Sequence, residues 1–297
     1  QGDVGSGKTI LGFLALCRAL DNQQQGALMA PTELLARQHY DNFKKLLPSH
    51  CQKILYLSGS VSTKEKKNLY SLLSSNQPFV VIGTHALFQD EVKFHCLRVI
   101  IVDEQQRFGV KQRAQLLSKA SRNLAYQITL SATPIPRTLA MATYGPISLS
   151  LLKEKPAGRQ EIKTYTIASD QQQIVYKSIR NCVRGNQQCY WVCPLITESE
   201  YIQAQNVEQA YARLCEQLSE LRIEVIHGQV PIANREKILE SFRRGEVDVL
   251  VSTLVIEVGV DSPTASLIVI ESPERLGLSQ LHQLRGRVGR GRHQGYC

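Results

Sequence analysis

The first nine residues narrow the fold to one class. Gln1-Gly2-Asp3-Val4-Gly5-Ser6-Gly7-Lys8-Thr9 contains G-x-x-x-x-G-K-T, the pattern of a P-loop. Its glycines let consecutive backbone N–H groups turn inward and cradle phosphate oxygens. Lys8 can reach the β- and γ-phosphates, and the Thr9 hydroxyl can hold Mg²⁺. The stretch Thr9 to Leu20 is apolar and free of proline, so it continues as a helix whose positive end faces the phosphates. Gly2, Asp3, Gly5, Ser6, Gly7, Lys8 and Thr9 are the expected nucleotide-binding residues. A Gly-rich turn that fits the pattern by chance is the alternative until partners are found downstream. The chain opens one residue before the motif, so the strand expected ahead of the loop is missing and the sequence reads as a fragment.

A chain of 297 residues has room for two domains of ordinary size. Its 43% hydrophobic and 21% charged residues are those of a soluble globular protein. The formal charge of +9 favours a polyanionic partner, without separating nucleic acid from an anionic membrane surface. No apolar run is long enough for a membrane span, and no signal peptide is visible. Eight cysteines are scattered with no C-x-x-C and no completing His pair, which predicts free, reduced, structural thiols and a cytosolic location.

Short apolar runs alternate with helical stretches, the pattern of α/β units with parallel sheets covered on both faces. In the first half, strands are expected at Ala27–Ala30, Lys53–Ser58, Phe79–Gly83, Leu97–Asp103 and Gln127–Ser131. Helices are expected at Glu33–Leu47, Thr63–Ser74, Val110–Ser118 and Ile135–Thr143. Residues 153–160, charged and carrying Pro156 and Gly158, read as a linker between a first domain at 1–152 and a second at 161–297. In the second half the expected strands are Ile162–Ile167, Gln188–Cys193, Ile223–His227, Val247–Ser252 and Ser266–Glu271. The expected helices are Asp170–Val183, Val207–Leu218, Ile232–Phe242 and Leu281–Val288. The halves are alike in architecture and not in residues.

Ile100-Ile101-Val102-Asp103-Glu104 is an apolar strand ending in two carboxylates. Ligands of such sheets sit beyond the carboxyl ends of the strands, so both acids would face the phosphate site. Asp103 can hold Mg²⁺, and Glu104 can orient and deprotonate an attacking water. A pair of surface acids capping a strand is the plainer reading. Ser131-Ala132-Thr133-Pro134 follows the next strand; its small hydroxyl residues can bond the acids, or simply form a strand-to-helix turn. Glu257-Val258-Gly259-Val260-Asp261 puts a glycine and an acid in a loop. Gln283-Leu284-Arg285-Gly286-Arg287-Val288-Gly289-Arg290 places Arg287 and Arg290 three apart on a helix, where they share a face. They could stabilise charge on a transferred phosphoryl group across an interdomain cleft, or contact a phosphate backbone.

Taken in order, these blocks resemble the superfamily-two helicases and translocases, and within them the RecG family of bacterial branch-migration DNA helicases. The likeness is carried by Leu28-Met29-Ala30-Pro31-Thr32-Glu33-Leu34-Leu35-Ala36, Gly83-Thr84-His85-Ala86-Leu87-Phe88-Gln89, Asp103-Glu104-Gln105 and Arg107-Phe108-Gly109-Val110. Ser131-Ala132-Thr133-Pro134-Ile135-Pro136-Arg137-Thr138, Tyr190-Trp191-Val192-Cys193, Val255–Asp261 and Pro273-Glu274-Arg275-Leu276-Gly277-Leu278 extend it through the whole chain. The transcription-repair coupling factor has a closely similar motor; the Glu257-Val258-Gly259 and Glu274-Arg275-Leu276 wording favours RecG.

The resemblance implies two tandem RecA-like domains and an ATP-dependent helicase using ATP and Mg²⁺. In it Lys8, Asp103, Glu104, Gln283, Arg287 and Arg290 serve hydrolysis, with Arg290 the expected arginine finger. Thr9 and Asp103 hold the metal. Gly259 and Asp261 complete the cleft; Ser131, Ala132, Thr133 and Gln106 couple hydrolysis to motion. Pro31, Thr32, Glu33, Gly83, Thr84 and His85 grip the nucleic-acid backbone. The partner implied is forked or branched DNA with double-stranded arms, bound by a monomer in the bacterial cytoplasm, near the nucleoid. Three departures stand out. Gln106 occupies a position where the family usually has His, and only His titrates near neutrality. The family's wedge domain is expected ahead of Gln1, and the chain stops before the family's helical hairpin. A fragment that binds DNA with little turnover is the competing expectation. A P-loop kinase or GTPase has no use for the Gln283–Arg290 block.

Overall fold

The computed structural model describes residues 1–3, 5–104, 108, 119, 125–131, 148–152, 160–194, 200–253, 262–291 and 293–297. The expected helices at Val110–Ser118 and Ile135–Thr143 lie outside them. The chain folds as two compact units, one of Gln1–Gly2 and Ser6–Lys153 and the other of Asp3–Gly5 and Glu154–Cys297. No helix among the described residues is long and apolar enough to cross a membrane.

The first unit is built from α1 (Lys8–Asp21), β1 (Gln25–Met29), α2 (Glu33–Leu46), β2 (Ile54–Leu57), α3 (Thr63–Ser74), β3 (Val80–Gly83), β4 (Leu97–Asp103) and β5 (Tyr126–Leu130). The strands form one parallel sheet in the order β2-β3-β1-β4-β5. Its inner strands are largely apolar because both faces are covered. Alternate residues then go to opposite sides. Ala27, Met29, Val81, Ile100 and Val102 pack with Leu73, Leu87 and Phe88 on one face. Leu28, Val80, Ile82, Val99 and Ile101 pack with Phe13, Leu16 and Phe43 of α1 and α2 on the other. Two helix starts are capped as their sequences dictate. Thr32 accepts from the Leu35 amide at 3.3 Å, and Ser62 with Glu65 forms a reciprocal capping box.

The second unit contains α4 (Gln172–Arg184), β6 (Gln188–Val192), α5 (Glu200–Gln217), β7 (Ile223–Ile226), α6 (Ile232–Arg243), β8 (Val249–Ser252), β9 (Ala265–Ile270) and α7 (Leu278–Arg285). Its parallel sheet runs β7-β8-β6-β9. Tyr176 of α4 stacks on Trp191 at 6.3 Å between centroids, and Val207, Ala210 and Leu214 of α5 complete that side of the core.

Three expectations need correcting. Residues 162–167 form no named strand; Lys163 bridges Tyr296, which itself bridges Leu267 of β9. The chain end thus lies between Lys163 and β9, bridging both through Tyr296. Helix α5 begins at Glu200, seven residues before Val207. Helix α7 stops at Arg285, so Arg287 and Arg290 lie on the turn and loop beyond it and do not share a helix face.

The halves do share one residue in kind. Gln25 opens β1, donating from Nε2 to Leu73 O, Ser75 O and Gln77 O and accepting from the Cys96 amide. Gln188 opens β6, donating to Phe242 O at 2.7 Å and Val247 O at 2.6 Å and accepting from the Ser262 and Thr264 hydroxyls. Both sit at a register shift against the neighbouring strand, where a buried amide side chain satisfies groups the ladder leaves open. Removing such a hub strands several buried polar groups. Gln188→Ala is therefore expected to cost about 1–3 kcal/mol, read as a lowered denaturant midpoint at unchanged slope.

All eight cysteines are free. Burial pushes the Cys189 and Cys193 thiols well up, so they stay protonated and pack as small apolar groups.

Candidate functional site

The carboxyl ends of the first sheet collect nearly every described candidate of that unit. At the β4–β5 side, two consecutive carbonyls anchor the site. Leu130 O accepts from the Glu104 amide at 3.0 Å, and Ser131 O accepts from the Gly2 amide at 3.3 Å. The start of the P-loop, the two acids and the segment after β5 therefore meet at one place. Gly7 caps α1 in the left-handed region at φ 90°, with no atom within 4 Å of where a Cβ would sit. The requirement there is conformational, and the space above the loop is open. Gly5 is also left-handed, at φ 79°. Lys8 Nζ donates to Gly2 O at 2.7 Å, laying the ammonium across the loop. Thr9 follows in the first turn of α1, half-buried; Asp3 and Ser6 are half-buried in the loop.

Asp103 is buried to 7% exposure at the end of β4. Its Oδ1 accepts from the Glu104 amide at 3.0 Å, and its Oδ2 faces His39 Nε2 at 2.8 Å. Among the described residues these partners leave two acceptor positions of the carboxylate, and with the Thr9 hydroxyl it offers the hard oxygen donors that Mg²⁺ takes. Glu104 turns out of the strand through the left-handed region, φ 48°, which few non-glycine residues adopt.

The nucleic-acid candidates gather at the other side of the same edge. Met29 and Gly83 are register partners, so the segments after β1 and β3 leave the sheet side by side. A Cβ on Gly83 would collide with Leu57 O, which is why only glycine fits this approach of β3 to β2. His85 is exposed, and Pro31 and Thr32 are half-buried. Thr84 is buried to 1% exposure and its hydroxyl lies beneath the surface, not on it. The Glu33 carboxylate accepts from the Ser60 amide at 3.1 Å, bracing the segment against the β2–α3 loop.

In the second unit Gln283 is buried on α7, Arg287 and Arg290 are half-buried, and Arg290 Nε donates back to Gly286 O at 3.0 Å. Gln106, Ala132, Thr133, Gly259 and Asp261 lie outside the described residues.

His39 is the residue that the motif reading missed. It lies on the buried stripe of α2 with Ala36 and Phe43, so a polar side chain on an apolar face was the available signal.

With this geometry in view, the chain was compared with known proteins. The family profile described as DEAD/DEAH box helicase matches residues 1–142, and that described as helicase conserved C-terminal domain matches residues 170–292. The chain is 48% identical, over its whole length, to the ATP-dependent DNA helicase RecG of Pasteurella multocida and 45% identical to that of Haemophilus influenzae. It spans 43% of the length of each. A solved structure of RecG bound to a three-way DNA junction superposes on all of the chain and 38% of that protein, with a TM-score of 0.78 and 39% identity. These matches favour RecG over the transcription-repair coupling factor. The chain belongs to the RecG helicases, and its two parallel-sheet units are the two domains of their helicase core.

Proposed function

We propose that this chain is the motor core of an ATP-dependent DNA helicase that remodels forked or branched DNA, acting as a monomer. The observation that carries the proposal is the division of one sheet edge. P-loop and acids converge on Leu130 and Ser131, while the segments after β1 and β3 emerge beside them. Lys8 and the loop amides would hold the nucleotide phosphates. Thr9 and Asp103 would hold Mg²⁺, which supplies charge neutralisation to the phosphates when bound. Glu104 would take the proton of the attacking water. Pro31, Thr32 and His85 would touch the DNA backbone, with Glu33, Gly83 and Thr84 as their framework. Gln283, Arg287 and Arg290 are the second domain's contribution to hydrolysis.

The test is ATP turnover measured with and without a synthetic fork. Fork DNA is expected to raise turnover, and binding is expected to weaken steeply with salt. Salt-dependent binding with no turnover in either condition would overturn the motor reading and leave a DNA-binding module.

A further inference from the structure

The geometry points to His39 as a positioning residue for Asp103, an inference that rests on the nucleotide-site reading above. A carboxylate that holds a metal works only if its oxygens are fixed in direction. Partners that fix such ligands matter nearly as much as the ligands. Asp103 has one such partner in the adjacent Glu104 amide, 3.0 Å from Oδ1. The other is His39 Nε2, 2.8 Å from Oδ2, which donates as an N–H because the carboxylate only accepts.

His39 is held in turn. It is 5% exposed, on the second turn of α2, and its ring packs perpendicular to that of Phe13 from α1 at 6.1 Å between centroids. A histidine at this depth, on an otherwise apolar stripe, needs a polar partner, and the Asp103 oxygen provides it. The pair joins α2 directly to the metal-holding acid, 64 residues apart in sequence. Its orientation leaves the remaining acceptor positions of Asp103 directed by two donors from two places, the turn directly after β4 and α2. One donor alone would leave the carboxylate free to rotate about its last torsion.

The experiment compares His39→Phe, which keeps a ring and removes the donor, with His39→Gln, whose amide nitrogen takes the place of Nε2. Mn²⁺ binding is followed by the loss of its free EPR signal in the presence of a non-hydrolysable ATP analogue, and ATP turnover is measured in parallel. His39→Phe is expected to weaken Mn²⁺ binding and to lower kcat, each by about 10- to 100-fold. Apparent KM for ATP at saturating metal is expected to hold, a split that general loosening of the core would not produce. His39→Gln is expected to recover most of both. Parent-like Mn²⁺ binding and kcat in His39→Phe would overturn the assignment, as would equal losses in the Phe and Gln variants. If the Phe variant does not fold, His39→Asn replaces it, since its shorter amide cannot reach Oδ2. Parent-like values in His39→Asn overturn the role in the same way. Mn²⁺ and nucleotide binding in the parent without any turnover would count against the motor reading alone, and the Mn²⁺ comparison would still decide the role of His39. No binding of the Mn²⁺–nucleotide pair by the parent would overturn both.

Discussion

Lys8→Ala is expected to remove DNA-stimulated ATP hydrolysis almost completely while leaving the protein folded. Two magnitudes separate these effects. In this structure the Lys8 ammonium makes a hydrogen bond of 2.7 Å to Gly2 O, and losing one such bond costs about 0.5–1.5 kcal/mol of stability. Removing a fixed positive group from a site of developing phosphoryl charge costs about 3–4 kcal/mol in the transition state, a loss of 10²–10³ in rate. Thermal unfolding should therefore shift only slightly, whereas turnover falls by at least two orders of magnitude. Lys8→Arg is not expected to rescue it, because a planar fork does not replace a compact ammonium inside a backbone cradle. Full DNA-stimulated turnover in Lys8→Ala would remove the P-loop from the reaction and with it the motor reading.

The sheets were legible because parallel strands covered on both faces are continuous apolar runs. β1, β3, β6 and β8 are buried at every residue, and each was expected within about two residues of where it lies. β5 was found despite its exposed side chains, since Tyr126–Leu130 keeps a strand composition even where little packs on it. Elements whose placement depends on something other than apolar pattern were misread. The start of α5 lies seven residues ahead of the apolar stretch read from Val207, and Gly286 ends α7 before Arg287 and Arg290.

The site was legible where chemistry demands particular residue types at fixed spacing, as in the P-loop and the Asp103-Glu104 pair. It was not legible where function depends on contacts between distant segments. Nothing in the sequence joins His39 to Asp103. Thr84, quoted with Gly83 and His85 as one gripping unit, has its hydroxyl buried while its neighbour His85 is exposed. Thr84 sits at the start of the short 3-10 turn His85–Phe88, and the change of backbone direction there separates two adjacent residues that a motif treats as one.

Glu104 carries the second large prediction, because its backbone and its proposed chemistry are linked. Its amide is shared between Leu130 O and Asp103 Oδ1, each at 3.0 Å, and this double hold bends the chain to φ 48° directly after the strand. A left-handed residue with a Cβ costs about 1–2 kcal/mol relative to the right-handed form. Such strain persists where the surroundings over-determine it, and here it turns the carboxylate away from the strand's own alternation. Glu104→Gln keeps the shape, the strain and the hydrogen-bonding reach, and removes only the base. Turnover is expected to fall by about 10²–10⁴ while nucleotide and fork binding persist, so that kcat drops and apparent KM holds. Glu104→Gly should be equally inactive yet at least as stable as the parent, since relief of the left-handed strain offsets the added chain entropy of glycine. Parent-like kcat in Glu104→Gln would exclude Glu104 as the base. Clear destabilisation of Glu104→Gly would show that the left-handed turn is not strained, and that the site holds its carboxylate by side-chain contacts instead.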